Sequence, residues 1–227
     1  MSLHESALLL IGSAKRPCST SESLGDYLIQ RLGERGYATR KLLIYRSLAS
    51  EEGHRELLAA TDLADILILA FPLYVDSLPS LVIQTLESLS KHRLAGGPLR
   101  PQRLVAIVNC GFPEAHHNDT ALSICRRFAK EAGYEWCGGL ALGGGEAING
   151  QPLSKMWPLA RNVIKSLDQA AESLTLGGAI PQGAVRLMAK PLVPNWMYTW
   201  LGERRWWQRA KKHGVQHELN ARPYQPS

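Results

Sequence analysis

Serine and threonine side chains crowd one short stretch of this chain. Ser13, Ser19, Thr20 and Ser21 follow the apolar run Ala7 to Ile11, with Gly12 at the junction and Lys15 and Arg16 inside the loop. From Glu22 onward the pattern reads as a helix. A strand, a hydroxyl-rich turn and a helix N-terminus outline a phosphate site. The first N–H groups of a helix lack intrahelical acceptors, and the positive end of its dipole faces the turn. Hydroxyls add donors without charge, while Lys15 and Arg16 add charge. This loop has neither Gly-x-Gly-x-x-Gly nor Gly-x-x-x-x-Gly-Lys-Ser/Thr, which argues against a dinucleotide or a triphosphate and for a monophosphate. The same residue types also serve as plain helix caps, so the turn alone leaves both readings open.

Two other stretches carry residues of chemical interest. One is Pro72-Leu73-Tyr74-Val75-Asp76-Ser77-Leu78-Pro79, where Tyr74 offers a flat wall for a ring or packs half-buried. The other runs from Asn109 to Asn118 and contains Cys110, Gly111, His116 and His117. Adjacent histidines cannot face one metal as an i, i+4 pair does, so these two read as solvated loop residues, with substrate contact as the alternative. Cys18, near a helix N-terminus, is either a thiol of lowered pKa or a small space-filler, and Cys110 carries the same two readings. The four cysteines form no CxxC pair. That speaks against zinc, an iron–sulfur cluster or a disulfide framework and for a reducing, cytoplasmic setting.

The elements that must position these loops follow from periodicity. Leu24, Leu28, Ile29 and Leu32 fall at helical spacing and Gly33 and Gly36 close that segment. Thr39 to Tyr45 reads as a short strand, Arg55 to Thr61 as a weak helix, and Asp65 to Phe71 as a strand buried on both faces, stopped by Pro72. A helix is expected from Pro79 to His92 and a strand from Arg103 to Asn109. Asn118 or Asp119 is placed to cap a helix whose Leu122, Cys125, Phe128 and Ala129 point inward. Tyr134 to Leu142 is the last strand. Gly143-Gly144-Gly145 then either lets backbone approach a ligand or makes a flexible turn. A long helix is expected from Ser154 to about Leu176 with Leu159, Val163, Leu167, Ala170, Ala171 and Leu174 inward. Strands alternating with helices predict an open parallel sheet covered on both faces, and in such sheets the ligand lies beyond the carboxyl ends of the strands. The three loops above all belong to that edge.

On these residues the chain resembles the NAD(P)H-dependent FMN reductase branch of the flavodoxin-like fold. Gly12-Ser13-Ala14-Lys15, then Ser19-Thr20-Ser21 and Leu24, is similar to the family's Gly-Ser-x-Arg…Ser-x-Ser/Thr loop, with lysine in place of arginine. Phe71-Pro72-Leu73-Tyr74 through Pro79 resembles its Pro-x-Tyr loop along the flavin ring. The resemblance covers roughly residues 7 to 175 and implies a three-layer, five-stranded parallel sheet of order 2-1-3-4-5. It implies FMN as cofactor and NAD(P)H as electron donor. Ser13, Lys15, Ser19, Thr20 and Ser21 would surround the phosphate, Pro72, Leu73, Tyr74 and Val75 would run along the ring, and Cys110 and Gly111 would close the third side. No catalytic acid or base and no metal ligand is implied, because hydride and electron transfer belong to the flavin. A homodimer or higher oligomer is expected by the same likeness. The chain departs from relatives that carry a cysteine cluster, and it has Val82, Ile83 and Gln84 where many relatives place a lysine.

Charge separates the chain into two parts. The sequence has 26 Lys+Arg against 20 Asp+Glu; eight of the former and two of the latter lie after Gly177, so the first 177 residues are balanced at 18 of each. The expected organisation is therefore a domain over 1–177 and a basic, aromatic C-terminal helical extension over 178–227, which carries the whole net charge of +6. No apolar stretch is long enough for a membrane span and no secretory leader is expected at the N-terminus. In the extension, Asn195 is placed to cap a helix with Trp196, Met197, Trp200, Leu201 and Trp207 near one face. That helix either docks on the domain or a partner subunit, or lies on an anionic membrane; nucleic acid is not expected as a partner. Three functions remain open from sequence. They are an FMN-dependent oxidoreductase acting on a flavin, quinone or other small acceptor, a flavodoxin-like electron carrier, and a cofactor-free interaction module.

Overall fold

The computed structural model describes residues 5–14, 18–96 and 100–221, the side chains of Asn195, Thr199, Leu201 and Arg205 excepted. Lys15 and Arg16 lie outside the described residues. Five strands, β1 (Ser6–Ile11), β2 (Ala38–Leu43), β3 (Ile66–Pro72), β4 (Arg103–Asn109) and β5 (Glu135–Leu142), pair in parallel in the order β2-β1-β3-β4-β5. This is the order expected from the sequence. Side chains alternate across a strand, and the alternation sorts the apolar residues into two cores. Leu9, Ile11, Ile68 and Ala70 face one side, where they meet helices α1 (Thr20–Gly33), α6 (Arg161–Thr175) and α7 (Gln182–Met188). Leu8, Leu10, Leu67, Leu69 and Phe71 face the other, against α3 (Glu51–Leu63), α4 (Ser80–Leu94) and α5 (Asp119–Glu131). The central strands are thus buried on both faces, which is why they read as unbroken apolar runs.

Several boundaries differ from the sequence-based expectation, each for a local reason. β2 ends at Leu43 and the chain turns into the short helix α2 (Ile44–Ser47). The helix expected at Arg55 begins at Glu51, because the Ser50 side chain accepts the Gly53 N–H at 3.0 Å and caps it. The long helix expected from Ser154 starts only at Arg161. Residues Leu153–Met156 make a 3-10 turn, and Pro158 excludes a helical residue before it and offers no donor. Leu159, expected inward, is consequently 36% exposed. Asn118 does not cap α5: its side-chain amide donates to the carbonyls of Ala115 (3.0 Å) and Leu142 (3.3 Å), since the turn Ala115–Asn118 runs straight into the helix.

The composition changes after Gly177, whereas the first compact unit closes at Leu192. The Ile180 N–H donates to the Cys137 carbonyl at 2.7 Å, and Ile180, Ala184 and Met188 are buried in the core under β5. The second unit, Val193–Ser227, holds α8 (Asn195–Lys212), after which the Val215 N–H returns to the Ala210 carbonyl at 2.9 Å. Among the described residues no helix is long and apolar enough to cross a membrane.

Candidate functional site

The loops at the carboxyl ends of β1, β3, β4 and β5 meet in a cleft of about 260 Å³. Ser13, Ser19, Thr20 and Ser21 line it from the first loop, Pro72, Leu73 and Tyr74 from the second, and Cys110 and Gly111 from the third. Nine of the eleven residues singled out for a cofactor therefore share one cleft; Lys15 lies outside the described residues, and Val75 does not line it. Asn109, Gly145 and Glu146 complete the lining and were not singled out as site residues. Asn109 had a signal, as a polar residue ending an apolar strand. Gly145 belonged to a glycine triplet with two readings.

The first loop is built by long-range hydrogen bonds. Ser19 caps α1: its side chain accepts the Glu22 N–H at 3.1 Å. Thr20 donates to the Gly145 carbonyl and Ser21 to Asn109 Oδ1, each at 2.7 Å and each buried. These two bonds fasten the start of α1 to the loops after β5 and β4. The hydroxyls thus fix the turn itself, and donation to a ligand falls to the Ser19 O–H and to the first-turn N–H groups of Thr20 and Ser21, which have no intrahelical acceptor. Ser13 is 5% exposed. Glu146 is the one acidic residue lining the cleft, and no Lys or Arg lines it among the described residues.

The loops after β4 and β5 are zipped together. The Cys110 N–H donates to the Leu142 carbonyl (3.0 Å), the Gly145 N–H to the Cys110 carbonyl (2.9 Å) and the Gly144 N–H to the Phe112 carbonyl (2.6 Å). A Cβ on Gly143 would collide with the Pro113 carbonyl, and one on Gly145 would stand 3.0 Å from Asn109 Nδ2. The triplet therefore permits close backbone approach between loops. The Cys110 thiol is enclosed by the carbonyls of Phe112, Glu114 and Leu142 and by the Asn118 amide, at 3.4 to 3.8 Å. Burial pushes its pKa up, so it is a neutral clasp within the loop, and the reactive-thiol reading has no geometric support. Loop three also presents Phe112, 52% exposed, whose ring centroid lies 4.4 Å from that of His117, itself stacked on His116.

In the second loop the Leu73 N–H is committed to the Asn109 carbonyl at 2.8 Å, so Leu73 can meet a ligand through its carbonyl or side chain. Tyr74 and Ser77 exchange both backbone hydrogen bonds, at 2.9 and 3.0 Å, around Val75 (φ 48°) and Asp76 (φ 57°). Positive φ at both central residues is the type I′ geometry of a two-residue hairpin turn. Val75 sits at its tip, 98% exposed. The turn holds Tyr74, which is 52% exposed, at the cleft.

No protein-family model matches the sequence, and no curated protein matches it. Solved structures do. RosB with the bound intermediate 8-demethyl-8-formylriboflavin-5′-phosphate is similar with a TM-score of 0.57 at 16% identity, covering 88% of this chain and 87% of that one. An NAD(P)H:quinone oxidoreductase from Methanothermobacter marburgensis gives 0.55 at 15% identity, over 75% of this chain and 96% of that one. The apo form of the NADH:FMN oxidoreductase EMOB gives 0.53 at 19% identity, over 84% and 96%. Identities this low speak to architecture alone, and together with the strand order they place the chain in the flavodoxin-like fold.

Proposed function

We propose that the protein is an FMN-dependent oxidoreductase that takes hydride from NAD(P)H and passes electrons to a small acceptor such as a flavin or quinone. The observation that carries this reading is the single cleft in which the α1 N-terminus, the Tyr74 hairpin and the loop after β4 come together. It lies where the chain leaves β1 and β3 toward opposite faces of the sheet, which is where doubly wound folds of this strand order receive a mononucleotide. The residues fit FMN. The first-turn N–H groups of Thr20 and Ser21 and the Ser19 hydroxyl suit a phosphate, with the helix dipole favouring its charge. Tyr74 supplies an aromatic wall for a flat ring, and the loop after β5 brings the Gly145 backbone to the same cleft. When bound, FMN would supply the hydride and electron transfer. The chain's own task is to hold the phosphate end in a rigid, hydrogen-bonded cup and leave the ring end at the half-open Tyr74 side. Oxidoreductase names among the structural neighbours support the reading.

Steady-state NAD(P)H oxidation tests the enzymatic part. Protein loaded with FMN is expected to oxidise NADH or NADPH in the presence of a soluble quinone. An electron carrier would bind FMN and leave the nicotinamide untouched, and that result would remove the enzyme reading while keeping the cofactor.

A further inference from the structure

Helix α8 takes no part in the reading above and belongs to a separate compact unit. It is 18 residues long and carries Arg204, Arg205, Arg209, Lys211 and Lys212 against Glu203 alone. Trp196, Trp200 and Trp207 stand four and seven residues apart, which places them within about 40° of one another around the helix axis and along about 17 Å of its length. These three indoles are 72%, 51% and 46% exposed. Cations border them: the Arg204 guanidinium lies 5.4 Å from the Trp200 ring centroid and Lys211 Nζ 5.3 Å from that of Trp207. Trp206 is also 66% exposed.

We propose that α8 is an interfacial helix that binds the surface of an anionic phospholipid bilayer, with the Trp196–Trp200–Trp207 stripe toward the acyl boundary. Indoles combine an apolar body with a polar N–H and settle at the boundary between acyl chains and headgroups. The flanking Arg204 and Lys211 have long apolar stems and charged ends, so they reach the headgroup phosphates while their stems cover the indoles. The charge distribution selects the occupant. The first 177 residues are balanced in net charge, whereas the stretch after Leu192 has six Lys and Arg against two Glu, so net attraction to an anionic surface is strongest at the end that carries the tryptophans. A second copy placed stripe to stripe would set Arg204 and Lys211 of one helix against the same cations of the other. Duplex nucleic acid would use the charge but leave a row of indoles without a partner. The helix lies on the bilayer and does not cross it, since it is too charged to span.

The test is sedimentation of the full-length protein with vesicles of phosphatidylcholine alone or of equal parts phosphatidylcholine and phosphatidylglycerol. The expected result is binding to the mixed vesicles only, weakening with added salt, with tryptophan emission moving to the blue. Trp200→Ser combined with Trp207→Ser should lower the partition by about tenfold or more and abolish the emission shift. Arg204→Ala and Lys211→Ala, which remove the two flanking cations one at a time, should each lower it about fivefold and leave the shift of the bound fraction intact. Circular dichroism of each variant should match the parent. Equal binding to neutral and anionic vesicles, binding to neither, or a tryptophan variant that partitions like the parent overturns the proposal, as does capture by duplex DNA in preference to the vesicles. FMN-free and FMN-loaded protein should partition alike, so failure here leaves the oxidoreductase reading untouched.

Discussion

Ser21 and Asn109 join the first and third loops through one buried hydrogen bond, and the cleft depends on it. Replacing Ser21 by alanine leaves the side-chain oxygen Oδ1 of Asn109 buried without this donor, which costs about 1 to 3 kcal/mol. The Ser21→Ala variant should therefore lower the urea midpoint as well as weaken FMN binding; a variant that loses FMN at unchanged stability would mean the hydroxyl serves only the ligand. Val75 gives a change of the opposite sign. A β-branched residue at φ 48° with a side chain 98% exposed contributes strain and little packing. Val75→Asn suits the left-handed turn and should raise stability by about 1 kcal/mol, read as a higher midpoint at unchanged slope. At this scale the sequence was informative about residue types and silent about partners. A row of hydroxyls before a helix is visible locally, but Thr20 and Ser21 bond to residues 125 and 88 positions away. The proton of each hydroxyl is thus spent on tertiary structure, an outcome that no local pattern encodes. Val75, placed on the ring by resemblance, fell at the tip of a turn whose type I′ geometry lacks the usual Asn-Gly signature.

Helices α1 and α5 show what periodicity can and cannot reveal. The stripe Leu24, Leu28, Ile29 and Leu32 is buried as its spacing predicts. Helical spacing of apolar residues extends back to Ser154, about two turns before α6 begins at Arg161. The determining fact is the single donor and steric freedom that Pro158 removes. In α5 the inward Cys125 leads to a pH prediction. Burial raises its pKa from 9.0 to about 12. Below pH 9 both folded and unfolded thiols are protonated and contribute no pH dependence. As pH rises from about 9 toward 12, the unfolded chain releases a proton that the folded chain retains, so stability falls. Cys137, raised to about 11, acts in the same direction. Urea midpoints of the parent should drop across this window, and Cys125→Ala should flatten the drop, although the variant is less stable at neutral pH. An unchanged alkaline slope in the variant would remove Cys125 from the account.

Two compact units with different charge and different surfaces make up the whole chain. Composition changes at Gly177, but burial continues through α7, because Ile180, Ala184 and Met188 complete the apolar cover over β5. A chain ending at Leu192 should fold and keep its affinity for FMN. One ending at Gly177 loses those three side chains from the core and should be destabilised by several kcal/mol, at about 1.5 to 3 kcal/mol for each large buried side chain. Thermal unfolding of the two truncated chains compares them directly. The parallel sheet, its two-sided cores and a site at the carboxyl ends of the strands were legible from apolar segments that alternate between strand and helix, whereas the strand order came from the family resemblance. The loop after β5 was legible as part of that edge, with close backbone approach one of two readings of its glycine triplet, but the groups it approaches, the Pro113 carbonyl and the Asn109 side chain, were not. The most direct measurement is titration of the purified full-length protein with FMN, followed by quenching of flavin fluorescence and by the visible absorption spectrum. The account predicts saturation at one FMN per chain, with riboflavin, which lacks the phosphate, bound at least tenfold more weakly. No quenching by FMN, or equal affinity for FMN and riboflavin, would contradict a phosphate cup at the start of α1.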